Sequence, residues 1–119
     1  MLVKYRDDYE KTTMGLLSFL PDFHNMKHLK AEMAWYTDGS GRQMYLWRND
    51  HNQFTGVVGF ELEDQFVLIR LLVLSPQERN DSTRKAILDA VAELFPEKRI
   101  MGTIATTPMI MRWRNIDGR

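Results

Sequence analysis

The chain contains no cysteine, which excludes a disulfide scaffold, a thiol nucleophile and any cysteine-ligated zinc or iron–sulfur site. It also lacks net charge, because 16 Lys and Arg balance 16 Asp and Glu. No global field therefore favours nucleic acid or an anionic membrane, and a charged ligand must be held by local arrangement. Long apolar runs are missing as well. The run around Leu71 to Leu74 is far below a membrane span, and Met1-Leu2-Val3-Lys4-Tyr5-Arg6-Asp7-Asp8 has no signal-peptide pattern. A soluble, cytoplasmic protein without membrane or nucleic-acid partners is expected. There is no internal repeat and no low-complexity linker. With 119 residues and 44% hydrophobic content, residues 1–119 are expected to form one domain around one core. His24 and His28 are close to Asp22, but nothing nearby completes a ligand set, so no metal is expected.

What is present is organised around residues 66–95. Phe66 to Leu74 is apolar on both alternating faces apart from Arg70, which predicts a central strand covered by helices on both sides. Pro76 ends its pairing. From Ala86, the residues Ile87, Ala90, Val91, Leu94 and Phe95 form one helical stripe that packs back on the sheet. Between strand and helix lies a polar loop carrying Arg79, Arg84 and Lys85, with Asp81 or Ser82 as the N-cap. Such a loop suits an anion, because helix N-termini present free N–H groups and positive potential. It also reads as a capped surface loop with solvated charges, since it lacks a glycine-rich run. An arginine inside an apolar strand is costly unless paired. Arg70 is therefore expected either to pair with Glu61 or Glu63 or to bind a substrate carboxylate or phosphate in a cleft.

The remaining elements follow in order. Leu2–Tyr5 reads as a short strand, with Asp7-Asp8 capping a helix from Tyr9 to Leu20 that Pro21 stops. A second helix is expected from Asn25 to Tyr36, then a loop over residues 37–41. Gln43–Arg48 and Phe54–Leu62 read as a hairpin about Asn49–Asn52, and Glu63–Gln65 turns into the central strand. After the helix come a strand over Arg99–Ile104 and a short helix over Met109–Trp113. Arg112-Trp113-Arg114 with Arg119 makes a small basic, aromatic tail, and the balanced net charge argues against nucleic acid there.

Leu71-Leu72-Val73-Leu74-Ser75-Pro76-Gln77-Glu78-Arg79-Asn80-Asp81-Ser82-Thr83-Arg84 resembles the acyl-CoA-binding segment of the GNAT N-acetyltransferases. There a hydrophobic strand runs into a proline and then an Arg/Gln-x-x-Gly-x-Gly/Ala turn. Arg79 matches, and the two glycine positions fall on Ser82 and Arg84. The element order also resembles that family. Residues 14–21, residues 42–47 followed by Val58-Gly59, and Ile69-Arg70 leading to Val73–Pro76 are similar to its RibT branch, small proteins encoded in riboflavin operons.

The resemblance implies an α/β (α+β) GNAT fold with a mixed, twisted sheet and helices on both faces, shortened at the C-terminus. It implies acetyl-CoA as cosubstrate, with the backbone of Leu72, Val73 and Leu74 bonding the pantetheine arm as an added strand. Arg79, Asn80, Asp81, Ser82, Thr83 and Arg84 would hold the pyrophosphate. Glu61 and Glu63 are the base candidates, and each also reads as a solvated strand-edge carboxylate. The thiolate-protonating tyrosine common on the family's last helix is absent, its position falling on Met111 or a neighbour. The strand near Ile100 to Ile104 would be a sheet edge along which two copies could pair. The expected function is acetyl-CoA-dependent N-acetylation of a small amine, with a link to riboflavin biosynthesis. The alternative is a catalytically inactive GNAT-fold protein with a regulatory or protein-interaction role.

Overall fold

The computed structural model describes residues 1–39 and 41–117. Ser40 of the expected loop and Arg119 of the basic tail lie outside the described residues. The elements are β1 (Leu2–Lys4), α1 (Glu10–Leu17), α2 (Met26–Asp38), β2 (Arg42–Arg48), β3 (Phe54–Leu62), β4 (Phe66–Leu74), α3 (Asp81–Leu94), β5 (Arg99–Gly102) and α4 (Thr107–Asp117), with short 3-10 turns at Asp7–Tyr9, Pro21–Phe23 and Pro76–Glu78. One five-stranded sheet runs in the order β1-β2-β3-β4-β5. Its pairs are antiparallel except β4 with β5, which are parallel. No helix among the described residues is long and apolar enough to cross a membrane.

Both faces of the sheet are covered. On one, Val58, Phe60, Val67, Ile69 and Leu74 pack with Ile87, Leu88 and Val91 of α3 and with Ile110 and Trp113 of α4. On the other, Met44, Leu46, Val57, Leu71 and Val73 meet Leu16 and Leu17 of α1 and Leu29, Met33 and Tyr36 of α2. Each fully buried aliphatic side chain contributes about 1.5 to 3 kcal/mol. The two lists divide β4 in an unexpected way. Val67 and Ile69 face α3, whereas Leu71 and Val73 face α1 and α2. Strict alternation would put all four on one face. The register explains the switch. Gly59 pairs with Leu71 and Phe60 with Ile69, leaving Arg70 without a partner. Arg70 is the extra residue of a β-bulge, and a bulge reverses the facing of everything after it.

Several boundaries differ from the sequence reading. α1 stops at Leu17, because Phe19 N–H bonds to Leu16 O and Leu20 N–H to Leu17 O in a tightened last turn. Leu20 is already extended ahead of Pro21. The N-cap of α3 is Asn80, not Asp81 or Ser82: its Oδ1 accepts from Thr83 N–H at 2.8 Å. Residues 81–85 are therefore the first turn of the helix. α4 is longer than expected, and β5 ends at Gly102 instead of Ile104.

Candidate active site

The end of β5 creates the site. Beyond the Ile69–Gly102 pair, β4 continues to Leu74 while β5 does not. The chain turns there because Thr106 Oγ1 donates to the Ile69 carbonyl at 2.7 Å and accepts from Thr103 N–H at 2.9 Å. A threonine hydroxyl thus satisfies the carbonyl at the point where the strands part. Gly102 permits the approach: a Cβ on it would lie 2.7 Å from Thr106 Oγ1 and 2.8 Å from Thr107 N. From Arg70 onward, β4 has β3 on one side and no strand on the other.

That open edge faces a cleft of about 960 Å³. One wall is the turn from Leu20 to Phe23 together with Glu32, the floor is Arg70, Leu71 and Leu72, and the other wall is Thr103 to Thr106 with Met109. An unpaired strand edge in an apolar cleft offers backbone donors and acceptors to an extended ligand, which can add as another strand.

The bulge projects Arg70 toward α2. Its Nε donates to Glu32 Oε2 at 2.8 Å and its Nη2 to Glu32 Oε1 at 3.1 Å. The guanidinium also stacks on the Trp35 ring at 4.5 Å, and Arg42 covers Trp35 at 4.4 Å. The pair holds Arg70 above its ordinary range, Glu32 being the chief cause. The ion-pair partner is thus Glu32, not Glu61 or Glu63, and Arg70 also lines the cleft. Sequence reasoning missed Glu32, Trp35 and Tyr36. The available signal was an arginine in need of an acid, but only the placement of α2 over β4 identifies which acid.

Glu61 and Glu63 lie outside the cleft lining. Glu61 is across from Arg42 and Leu68 in the sheet, and Glu63 is in the turn after β3. Hydrogen bonding to Glu61, with repulsion from it, pushes Glu63 above the usual carboxylate range, and Lys98 opposes this. On α4, Met111 is exposed, while Met109 reaches the cleft. The α4 position facing the site is therefore Met109.

At the far end of β4, Arg79 Nε donates to the Leu74 carbonyl at 3.1 Å, and its guanidinium lies over Phe19 at 5.4 Å. Asn80 caps α3, and Thr83 Oγ1 donates to Glu78 at 3.3 Å. Arg84 pairs with Asp81 at 3.6 Å. The N–H groups of Asp81 and Ser82 belong to the first helical turn and have no intrahelical acceptor. This end of α3 thus presents amides and two guanidiniums beside the open edge. Among the described residues, no cluster of three His, Asp or Glu side chains could hold a metal.

Comparison with solved structures identifies the fold. The protein is similar to aminoglycoside 6'-N-acetyltransferase AAC(6')-Ih from Acinetobacter baumannii, with a TM-score of 0.71 and 14% identity over 100% of this chain and 89% of that one. It is similar also to aminoglycoside N-acetyltransferase AAC(6')-Iy in complex with CoA, with a TM-score of 0.74 and 11% identity over 99% of this chain and 86% of that one. The fold is the GNAT acetyltransferase fold. At the sequence level, the chain is 29% identical over 111 residues to an uncharacterized N-acetyltransferase in the lysA 3' region of Bacillus methanolicus, covering 92% of each. No protein-family model matches the chain. Leu72 to Leu74 and Arg79 to Arg84, which the sequence resemblance assigned to the cofactor, lie at the end of β4 and around the start of α3.

Proposed function

We propose that this protein is an acetyl-CoA-dependent N-acetyltransferase acting on a small amine. The observation that carries the reading is the edge of β4 left without a strand partner beyond Ile69, where Arg70, Leu71 and Leu72 line a cleft of about 960 Å³. The name of the similar Bacillus protein and the CoA bound to a GNAT-fold neighbour support it. Leu72, Val73 and Leu74 bond the pantetheine arm through their backbones. The amides of Asp81 and Ser82, with Asn80 and Thr83 shaping the turn and Arg79 and Arg84 supplying charge, hold the pyrophosphate. Arg70 contacts the acceptor. Glu61 and Glu63 remain the base candidates; standing outside the cleft lining, they take the amine proton only through a chain of waters. The departing thiolate is protonated by solvent, since α4 has no tyrosine. The resemblance to the RibT branch adds amine-bearing flavin precursors to the acceptors worth screening. In the same reading, two copies pair along the open edge of β5.

One observation favours the alternative of a non-catalytic GNAT-fold protein. Ser82 and Arg84 stand at the family's glycine positions, and Arg84 is bound by Asp81. Calorimetric titration with acetyl-CoA separates the two readings. The expected result is micromolar binding, weakened about tenfold or more in Arg79→Ala by loss of a charge-assisted bond. A folded protein that binds no acetyl-CoA at millimolar concentration would sink the acetyltransferase reading.

A further inference from the structure

The three charged side chains of the cleft are not equivalent. Glu32 engages the side-on edge of the Arg70 guanidinium through Nε and Nη2, and its own side chain is only 10% exposed. Its charge is therefore matched. The end-on edge of Arg70, Nη1 with the second hydrogen of Nη2, is not the edge that Glu32 takes. That side chain is 42% exposed and lines the cleft. Trp35 below it and Glu32 beside it hold the plane, so the second fork is preorganised. Asp22, exposed in the cleft wall, is in no ion pair among the described residues. The rest of the lining is largely apolar and includes Leu20, Phe23, Leu72, Ile104 and Met109. Ile104 is 98% exposed, and an isoleucine at a cleft wall gains burial when the cleft fills.

We propose, resting on the acetyltransferase reading, that the acceptor is an apolar amino acid or a close analogue, with one primary amine, one carboxylate and a hydrophobic side chain. The carboxylate takes the end-on fork of Arg70 as a bidentate pair. The hydrophobic body lies on Leu20, Phe23, Ile104 and Met109, and Asp22 draws in the ammonium group. After loss of a proton, the amine lone pair attacks the thioester carbonyl carbon and a C–N bond forms. The C–S bond breaks with its electrons on sulfur, one of the two protons left on nitrogen leaves through water, and the thiolate takes a proton from solvent. The products are an N-acetyl amino acid and CoA. A polyamine fits poorly, because Asp22 is the one cleft carboxylate with unmatched charge. A phosphate dianion would bring two negative charges to a cleft whose unmatched charge, on Asp22, is already negative.

The test compares leucine, methionine and phenylalanine with phenylalaninamide and spermidine, by calorimetry on the whole protein with and without CoA and by thiol release from acetyl-CoA. Phenylalaninamide keeps the amine and the ring and removes only the negative charge. At least one of the three amino acids is expected to bind and to be acetylated, with the amide about tenfold or more weaker and spermidine weaker still. Arg70→Lys, which keeps the charge and removes the fork, should erase the difference between acid and amide. Equal or tighter binding of the amide, preference for spermidine, or no binding of any of the three amino acids would overturn the proposal. If the amino acids bind through Arg70 while acetyl-CoA does not bind, the carboxylate site stands and the acetyltransferase reading falls.

Discussion

Tyr36 shows how tightly single residues are fitted behind the cleft. Its side chain is buried, and its hydroxyl sits beside Glu32 and Arg70 without a well-formed hydrogen bond to either. It lies where a side chain on β3 is missing: a Cβ on Gly59 would be 2.3 Å from that hydroxyl. Burial is the main reason its ionisation is pushed up from the ordinary value near 10, with Glu32 adding to the shift and Arg70 opposing it. An unpartnered buried hydroxyl costs about 1 to 3 kcal/mol. Tyr36→Phe should therefore leave stability unchanged or raise it by about 1 kcal/mol at neutral pH. The pH dependence has a definite sign. A folded-state value above the unfolded one contributes stability that is complete below about pH 10 and is lost as pH rises beyond it. Denaturant unfolding at neutral pH and above pH 10 should show a larger alkaline loss in the wild type than in Tyr36→Phe. Equal losses would mean that Tyr36 is not the buried phenol described. Arg70 was legible in the sequence as an anomaly within an apolar strand, but its partner was not. Glu32 is separated from it by 38 positions, and no local pattern ties the two.

Elements were legible where a long run of one period met no competing tertiary contact. Phe66–Leu74 and the stripe of α3 are of this kind, and β4 begins and ends where its hydrophobic run does. The bulge was invisible, because a strand apolar on both faces reads the same with one residue out of step, and Arg70 marked an anomaly without marking a change of register. Yet that step sends Leu71 and Val73 to α1 and α2 and turns Arg70 toward Glu32. β5 was overextended because Ile100, Gly102 and Ile104 alternate like a strand, whereas the Thr106 hydroxyl takes the Ile69 carbonyl and ends the pairing. The start of α3 was blurred by several good capping residues in succession. Its assignment to Asn80 makes a prediction. Asn80→Ala should cost about 1 kcal/mol and weaken acetyl-CoA binding by loosening the first turn. Asp81→Ala removes only a half-exposed pair with Arg84, so it should cost at most a few tenths of a kcal/mol and tighten binding by removing a negative charge. Equal destabilisation by the two, read from thermal unfolding, would return the cap to Asp81.

For the molecule as a whole, zero net charge conceals an uneven distribution that bears on self-association. β5 closes one end of the sheet, and Lys98, Arg99 and Arg114 gather there. Lys98 holds the carbonyls of Glu63 and Asp64, while Arg114 donates to the Ile100 carbonyl. Burial and the nearby Arg99 both push the ionisation of Arg114 down, the first more than the second. Two copies pairing along β5 would bring the Arg99 and Arg114 side chains of both chains together. They would also have to release the Ile100 carbonyl from Arg114. The half-exposed Met101 supplies the apolar gain. The repulsive term is screened by salt and the apolar term is not, because the Debye length falls from about 30 Å at about 0.01 M to about 3 Å at about 1 M. The proposed homodimer should therefore strengthen as salt is raised, opposite to an interface held by ion pairs. Sedimentation velocity across that range checks the sign. Arg114→Ala, which frees the carbonyl and removes one cation, should shift the equilibrium toward dimer at low salt. A monomer under every condition, in both the wild type and Arg114→Ala, would rule out the β5 edge as a contact between copies.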